Sequence, residues 1–215
     1  AVDTILYAYS TVEINFQLHY DSIWYAINFV SASPVPQLCL VTTNDSSNNH
    51  EILLDPSYLL VTDSLILERE VVGGWDVIDN DVSTLMVIDS TYPAGQVATY
   101  RLRSEYGCSS LELSTILLST SVDPISNDLN LSWTAYTGYE PLDGYYVIRH
   151  SGGSIDTVAS VLGTNLNGVS WNPGDKFRIL TNIQSCIVNP YARTGELTIS
   201  SNTVTTGSVD ITEID

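Results

Sequence analysis

Four side chains that carry oxygen ligands lie close together in one stretch of the sequence. They are Asp76, Asp79, Asn80 and Asp81. Calcium and other hard cations bind several carboxylate and carbonyl oxygens that a loop brings together. The stretch lacks the alternating D-x-D-x-D-G spacing of an EF-hand loop, and an acidic chain produces such runs by composition alone. Calcium is therefore a weak candidate here, a solvated loop is the alternative, and no other metal or cofactor is predicted.

A catalytic site has no support in the residue pattern. A hydrolytic triad needs a nucleophile, a base and a carboxylate that orients the base. No serine lies in a G-x-S-x-G turn. His150 ends a predicted strand before a Ser-Gly-Gly turn, where a solvated histidine is expected. The three histidines lie far apart, so a zinc cluster is not indicated either. We predict no catalytic residue and no enzyme.

Three tyrosines flank a polar connection in the C-terminal half: Tyr136, Tyr139 and Tyr145. An exposed tyrosine ring is apolar with a polar tip, so such a group could stack on a sugar. The chain has 13 tyrosines spread over predicted strands, and core packing or cross-strand pairing explains most of them. Surface glycans are therefore a second class of partner, behind the one argued from the N-terminal segment.

The cysteines are Cys39, Cys108 and Cys186, and no C-x-x-C pair occurs. In an oxidising compartment, three cysteines give one disulfide and one leftover thiol. Cys108 and Cys186 hold equivalent places in the repeat described below, which argues against a bond between them. Free cysteine packs well as a small hydrophobe. Buried free thiols are the simpler prediction, and a disulfide between any two of the three is the alternative.

The charge balance excludes several partners. The chain has 215 residues with 25 acidic and 7 basic side chains, for a formal net charge of −18. Phosphate backbones need a basic surface, so nucleic acid is excluded. No apolar run reaches the ~18 residues of a membrane span, so no membrane insertion is expected. The start at Ala1 and the abundant Ser, Thr, Asn and Tyr fit a mature protein, extracellular or on the cell surface, after removal of a leader.

The elements that must position these residues are strands. Residues 129–133 and 145–149 alternate or cluster apolar types with β period, and a polar connection with an Asp143-Gly144 turn pair joins them. Turn signals recur at roughly the 8–12-residue spacing of an antiparallel sandwich. No amphipathic helix of useful length is present, which argues against a βαβ fold. The sequence predicts an all-β protein.

The order of these signals repeats. Four landmarks recur at an offset of 77 to 84 residues. The matched pairs are Arg69 with Arg149, Arg101 with Arg178, Cys108 with Cys186, and Leu113 with Leu197. A near-constant offset indicates two copies of one β unit of about 80 residues.

The second copy resembles a known family. Its stretch NLSWTAYTGYEPLDGYYVIR, with Trp133, Tyr136, Gly138 and Arg149, resembles the W-x-x-Y-x-G and Y-x-I-Y-R pattern of fibronectin type III-like domains in secreted Bacteroidota-type adhesins and gliding-associated surface proteins. The likeness covers about residues 35–202, and Leu54-Asp55 departs from the usual Trp-Glu pair. It implies tandem antiparallel β-sandwiches that act as spacers or binding modules.

Together these patterns divide the chain into four parts. They are an N-terminal β-strand arm or hairpin at 1–33, a first fibronectin III-like sandwich at 34–120, a second at 121–202, and a C-terminal strand or tail at 203–215.

The N-terminal arm is the functional clue in the sequence. Each sandwich can close its own core, so the apolar strands of residues 1–30 are surplus, and an unpaired apolar strand invites association. We therefore expect a non-enzymatic extracellular structural protein that assembles with copies of itself into a filament or surface layer through exchange of this arm. The alternative is a cell-surface adhesin or carbohydrate-binding module of a larger secreted protein.

Overall fold

The computed structural model describes residues 15–20, 23–28, 37–44, 46–55, 64–92, 95–105, 107–138, 141–184 and 196–207. Within these ranges the chain forms strands and no helix. The strands are β1 Asn15–Tyr20, β2 Ile23–Asn28, β3 Leu38–Thr43, β4 His50–Leu54, β5 Leu65–Val71, β6 Gly74–Asp79, β7 Met86–Asp89, β8 Thr99–Ser104, β9 Leu113–Ser114, β10 Leu118–Val122, β11 Leu129–Trp133, β12 Pro141–Ser151, β13 Ser154–Val161, β14 Asn165–Val169, β15 Lys176–Gln184, β16 Glu196–Ser200 and β17 Val204–Thr205.

Strands β3 to β9 form the first sandwich. One sheet has the order β3–β4–β7 and the other has the order β6–β5–β8–β9, and the pairs within them are antiparallel. Strand β8 shows why the sequence folds this way, because it buries Tyr100 and Leu102 and turns Arg101 and Arg103 outward. The alternate inward residues of the two sheets meet in one apolar core.

Strands β10 to β17 form the second sandwich with the same plan. Its sheets have the orders β10–β11–β14 and β13–β12–β15–β16, and β17 also pairs with β15. Each central strand of the first sandwich has its counterpart, β5 in β12 and β8 in β15. Two tandem antiparallel β-sandwiches, the fold class predicted from the sequence, are therefore confirmed.

The limits of the predicted units stay predictions, but two strands bear on them. Strand β10 begins at Leu118 and pairs with β11, so the second sandwich takes in residues just before the predicted limit at 121. Strand β17 pairs Val204 with Phe177 of β15. The described part of the predicted tail thus adds a short strand to the second sandwich.

The Asp143-Gly144 pair is not the turn that its residue types predict. Both residues lie inside β12, which begins at Pro141. The register of β12 against β15 shifts between Pro141 and Tyr145, and Gly144 has a φ of +81°. A Cβ built there would lie 2.5 Å from the carbonyl oxygen of Val161. Glycine is therefore required by an irregular, closely packed strand and not by a hairpin turn.

Strands β1 and β2 form an antiparallel two-stranded sheet of their own. Their register sets apolar residue types opposite one another at alternate positions, and each pair between them includes at least one polar type. The apolar pairs are Phe16 with Ile27, Leu18 with Tyr25, and Tyr20 with Ile23.

Candidate functional site

The predicted calcium residues do not lie together in a loop. Asp76 and Asp79 are on β6, opposite Arg69 and Leu67 of β5. The side chain of Asp79 accepts a hydrogen bond from the backbone N–H of Asp81 at 3.1 Å, a local turn that needs no cation. Among the described residues, no three His, Cys, Asp or Glu side chains are placed to hold a metal ion together. The calcium site stays a prediction without a supporting contact.

Two of the three tyrosines that suggested a sugar platform belong to the interior. Tyr136 and Tyr145 are buried, and Tyr139 lies outside the described residues. The Tyr145 ring meets the Trp133 ring edge-on with a centroid separation of 5.8 Å. Its hydroxyl accepts a hydrogen bond from the backbone N–H of Tyr136 at 3.0 Å. These aromatic residues close the second core and offer no exposed ring to a ligand.

Tyr136 also faces the first sandwich, which makes it part of the junction between the two. Its hydroxyl accepts a hydrogen bond from the backbone N–H of Val41 at 3.3 Å. Leu40, the preceding residue of β3, is buried in the apolar cluster of the second sandwich. On the same strand, the Thr42 hydroxyl accepts a hydrogen bond from the backbone N–H of Ser200 at 2.7 Å. Strand β3 is therefore shared by both sandwiches.

The two residues that follow Tyr136 also contact the first sandwich, at strand β9. Thr137 forms an isolated antiparallel bridge with Ser114 of β9. Gly138 has a φ of +115°, and a Cβ built there would lie 1.9 Å from a methyl carbon of Leu113. Only glycine fits this position. The stretch that resembles the family pattern thus positions one sandwich on the other, a role that its sequence did not predict.

The simpler prediction, that the cysteines are buried free thiols, is wrong for Cys39. Cys39, fully buried on β3, is bonded in a disulfide. Cys108 is a free, partly exposed cysteine, and Cys186 lies outside the described residues. A disulfide on β3 adds a covalent constraint to the strand that both sandwiches share. The sequence missed it because pairing depends on distances that spacing does not encode.

A buried polar network joins the two sheets of the first sandwich. Asp89, at the end of β7, has a fully buried side chain that pairs with Arg69 at 2.5 Å. The Tyr100 hydroxyl donates to Asp89 at 2.8 Å. That leaves the hydroxyl as an acceptor for His50, whose Nδ1 lies 2.8 Å away. The Thr91 hydroxyl and backbone N–H donate to the other oxygen of Asp89.

The environment of each group sets its charge. Burial lowers the pKa of His50, which keeps the ring neutral at pH 7. Burial alone would raise the pKa of Asp89, but hydrogen bonds from Thr91, Tyr100 and Arg69 outweigh it and hold that pKa below its usual range. Burial, helped by the hydrogen bond to Asp89, raises the pKa of the Tyr100 hydroxyl far above its ordinary value. Each of these shifts moves the pKa of its group away from neutral pH.

This network holds strands of the first sandwich together through hydrogen bonds between side chains. Among the described residues, the second sandwich has no equivalent network. The residue equivalent to Tyr100 in the repeat is Phe177, which is fully buried. Arg149, the counterpart of Arg69, lies near Asp156 at 3.5 Å at the surface. Sequence reasoning singled out Arg69 as a repeat landmark but missed His50 and Asp89. Their partners are 50 and 11 residues away along the chain, so no local motif marks them.

The outer face of the β5–β6–β8 sheet is closed by charge. Glu68 accepts hydrogen bonds from Arg101 and Arg103, both at 2.8 Å. The Arg101 guanidinium lies over the Trp75 ring at 3.9 Å from its centroid. Burial would raise the pKa of Glu68, but the two arginines lower it. The Glu68 carboxylate, the arginine guanidinium groups and the Trp75 ring contact one another, so these groups have their partners within this face of the sheet.

The second sandwich covers part of the outer face of the β3–β4–β7 sheet. Leu40 and Leu53 on this face pack against the second sandwich. Strand β7, at the edge of the sheet, exposes two apolar side chains that lie two residues apart, Met86 at 49% and Ile88 at 52%. This apolar edge, defined by Met86 and Ile88, is the strongest candidate for an interaction site on the described surface.

No helix in the described part of the chain is long and apolar enough to cross a membrane. No family model matches the sequence, and no curated protein is similar to it.

Solved structures with similar folds include three distant ones. A two-domain fibronectin type III segment of chicken tenascin is 18% identical, with 80% of this chain and 99% of that chain covered and a TM-score of 0.29. The chicken interferon gamma receptor alpha chain is 14% identical, with 80% and 100% covered and a TM-score of 0.30. The FN1–FN3 domains of chicken CNTN1 are 12% identical, with 86% and 69% covered and a TM-score of 0.25. These superpositions are loose, and the fold assignment rests on the strand orders given above.

Proposed function

We propose that the chain is a non-enzymatic extracellular structural protein that assembles with copies of itself through residues 1–30. The observation that carries this proposal is the hairpin β1–β2, which pairs with neither sandwich in the described structure. An isolated two-stranded hairpin is marginally stable in water at best. Its register aligns three apolar pairs, so it gains most from a second surface that covers it.

The rest of the molecule suits a structural role. Strand β3 contributes to the packing of both sandwiches, so the pair can act as a stiff spacer of fixed geometry. The disulfide at Cys39 is a bond that persists in oxidising compartments outside the cytosol. The titratable groups His50, Asp89 and Tyr100 of the first sandwich are paired with one another, and their pKa values are shifted away from neutrality. These features support a scaffold better than a reaction.

The test uses two double variants of the full chain that differ only in which hairpin positions they change. Leu18→Asp/Tyr25→Asp places two charges at one apolar pair, and Gln17→Asp/Ala26→Asp places the same charges at the neighbouring pair. Light scattering over a range of protein concentrations, with negative-stain microscopy, measures association. The proposal expects the first variant to stay monomeric while the second assembles like the natural chain. A natural chain that is monomeric at every concentration would overturn the proposal.

A further inference from the structure

The hairpin needs a receiving surface, and one edge of the described structure has the properties of such a surface. Edge strands expose backbone N–H and C=O groups that can pair with another strand. Some of the edge strands have partners: β3 lies against the second sandwich, and on β6 the Trp75 ring is covered by Arg101. Strand β13 exposes a single large apolar residue, Ile155, beside Asp156. Among the described edge strands, β7 alone exposes two large apolar side chains on one face, Met86 and Ile88.

The backbone of β7 is oriented for pairing at its free edge. The N–H of Leu54 on β4 donates to the carbonyl of Leu85 at 2.9 Å. Residues of an antiparallel ladder bond to a given neighbour at every second position. Val87 therefore bonds to β4, whereas the backbone groups of Met86 and Ile88 point away from it. The Thr84 hydroxyl donates to the Met86 carbonyl at 2.9 Å, which leaves Ile88 as the centre of the available edge.

The apolar edge also continues an interface that already exists. Leu53 lies directly opposite Met86 in the β4–β7 ladder and packs against the core of the second sandwich. An apolar strip thus runs from the junction, through Leu53, to Met86 and Ile88 at the rim. The junction covers one end of the strip and solvent meets the other.

We propose that the apolar edge of β7 receives the β1–β2 hairpin of a second copy of this chain. The hairpin has the matching chemistry, with apolar types at alternate positions and Asp21 as the one Asp, Glu, Lys or Arg between 15 and 28. Backbone pairing at Ile88 gives the contact its strength, and the alternating side chains give it its register. The hairpin and the edge are different surfaces, so the contact is heterologous and propagates from copy to copy. This inference rests on the proposed function and names its receptor.

The test compares full-chain variants with matched charge changes. Met86→Lys/Ile88→Lys alters the apolar edge, and Ile155→Lys/Leu162→Lys alters two exposed apolar residues of the second sandwich. We expect the first variant to lose at least about tenfold in association constant, measured by light scattering, and the second to keep it. Protection of the Ile88 region from hydrogen exchange on assembly of the natural chain gives a second readout that needs no variant.

A mixing experiment separates this inference from the proposed function. The apolar-edge variant keeps an intact hairpin, and Leu18→Asp/Tyr25→Asp keeps an intact edge. Each should be monomeric alone, and an equal mixture should form dimers and stop there. If the edge variant assembles like the natural chain while the hairpin variant does not, the edge is the wrong receptor and the proposed function survives. If the natural chain never associates, or the mixture gives no dimers, this inference fails.

Discussion

Replacing Tyr100 by phenylalanine tests whether one hydroxyl holds the polar network together. The ring itself should fit, because the equivalent position of the second sandwich is Phe177. Without the hydroxyl, Asp89 loses a donor at 2.8 Å and His50 loses its partner. A hydrogen bond to a charged group contributes about 1.5–3 kcal/mol, and a buried polar group left unpaired costs about 1–3 kcal/mol. Because the two losses share one atom, we expect the free energy of unfolding to fall by about 2–4 kcal/mol.

Urea unfolding of the full chain at neutral pH measures this loss, with Tyr145→Phe as the matched control. The Tyr145 hydroxyl is also buried, but its partner is the neutral backbone N–H of Tyr136. We expect the control to lose about 1–1.5 kcal/mol. Protonation of Asp89 in acid removes the charge, so the gap between the variants should narrow there. A loss for Tyr100→Phe no larger than that of the control would refute the view that its hydroxyl serves a buried charge.

Three further predictions concern His50, Gly138 and the cysteines. The pKa of His50 is lowered from its ordinary value of 6.5, so the unfolded chain binds a proton first as the pH falls. The stability present above pH 6.5 should therefore decrease as the pH drops below that value. Chemical denaturation of the natural chain and of His50→Gln checks this, and an equal pH dependence of both would contradict it. Gly138→Ala should destabilise the chain by about 1–3 kcal/mol in thermal unfolding, since φ is +115° and the added Cβ meets a leucine methyl at 1.9 Å. The control Gly163→Ala, with open space around the added Cβ, should change the stability little. Equal losses of stability in the two variants would refute the packing argument. Since the third cysteine is free, non-reducing peptide mapping should find the Cys39 peptide linked to the Cys186 peptide, and any other pairing would be contrary to this expectation.

The repeat carried most of the predictable part of the fold. Alternation of apolar and polar types sets which side of a strand faces the core, and Tyr100 and Arg101 fall on opposite sides as their types require. Because the same order of landmarks occurs twice, one interpretation served both sandwiches. The error at Asp143-Gly144 has a local cause. Turn residues and residues at strand irregularities both use glycine at positive φ, and the sequence does not separate the two uses.

The apolar edge was less predictable than the fold, because it depends on which strands pair and those strands are far apart in the sequence. Met86 and Ile88 look like ordinary strand residues in the sequence. Their exposure follows from the position of β7 at a sheet edge, which is a property of topology. Tyr136 was ambiguous for the opposite reason: its place beside a polar connection left a ligand platform open beside core packing, and the structure buries it. Charge gave no signal either, since the apolar edge and the hairpin contribute little to the net charge of −18.

The net charge bears on how such an assembly would be controlled. Copies that each carry a formal charge of −18 repel one another, and added salt screens that repulsion over about 10 Å at 0.1 M. An apolar contact between a hairpin and an edge is not weakened by screening, because no ion pair has to form across it. Self-association should therefore strengthen as salt is raised. An assembly held by Arg101 and Arg103 on the opposite sheet would weaken instead, so the sign of the salt dependence distinguishes the two faces of the first sandwich as the contact surface.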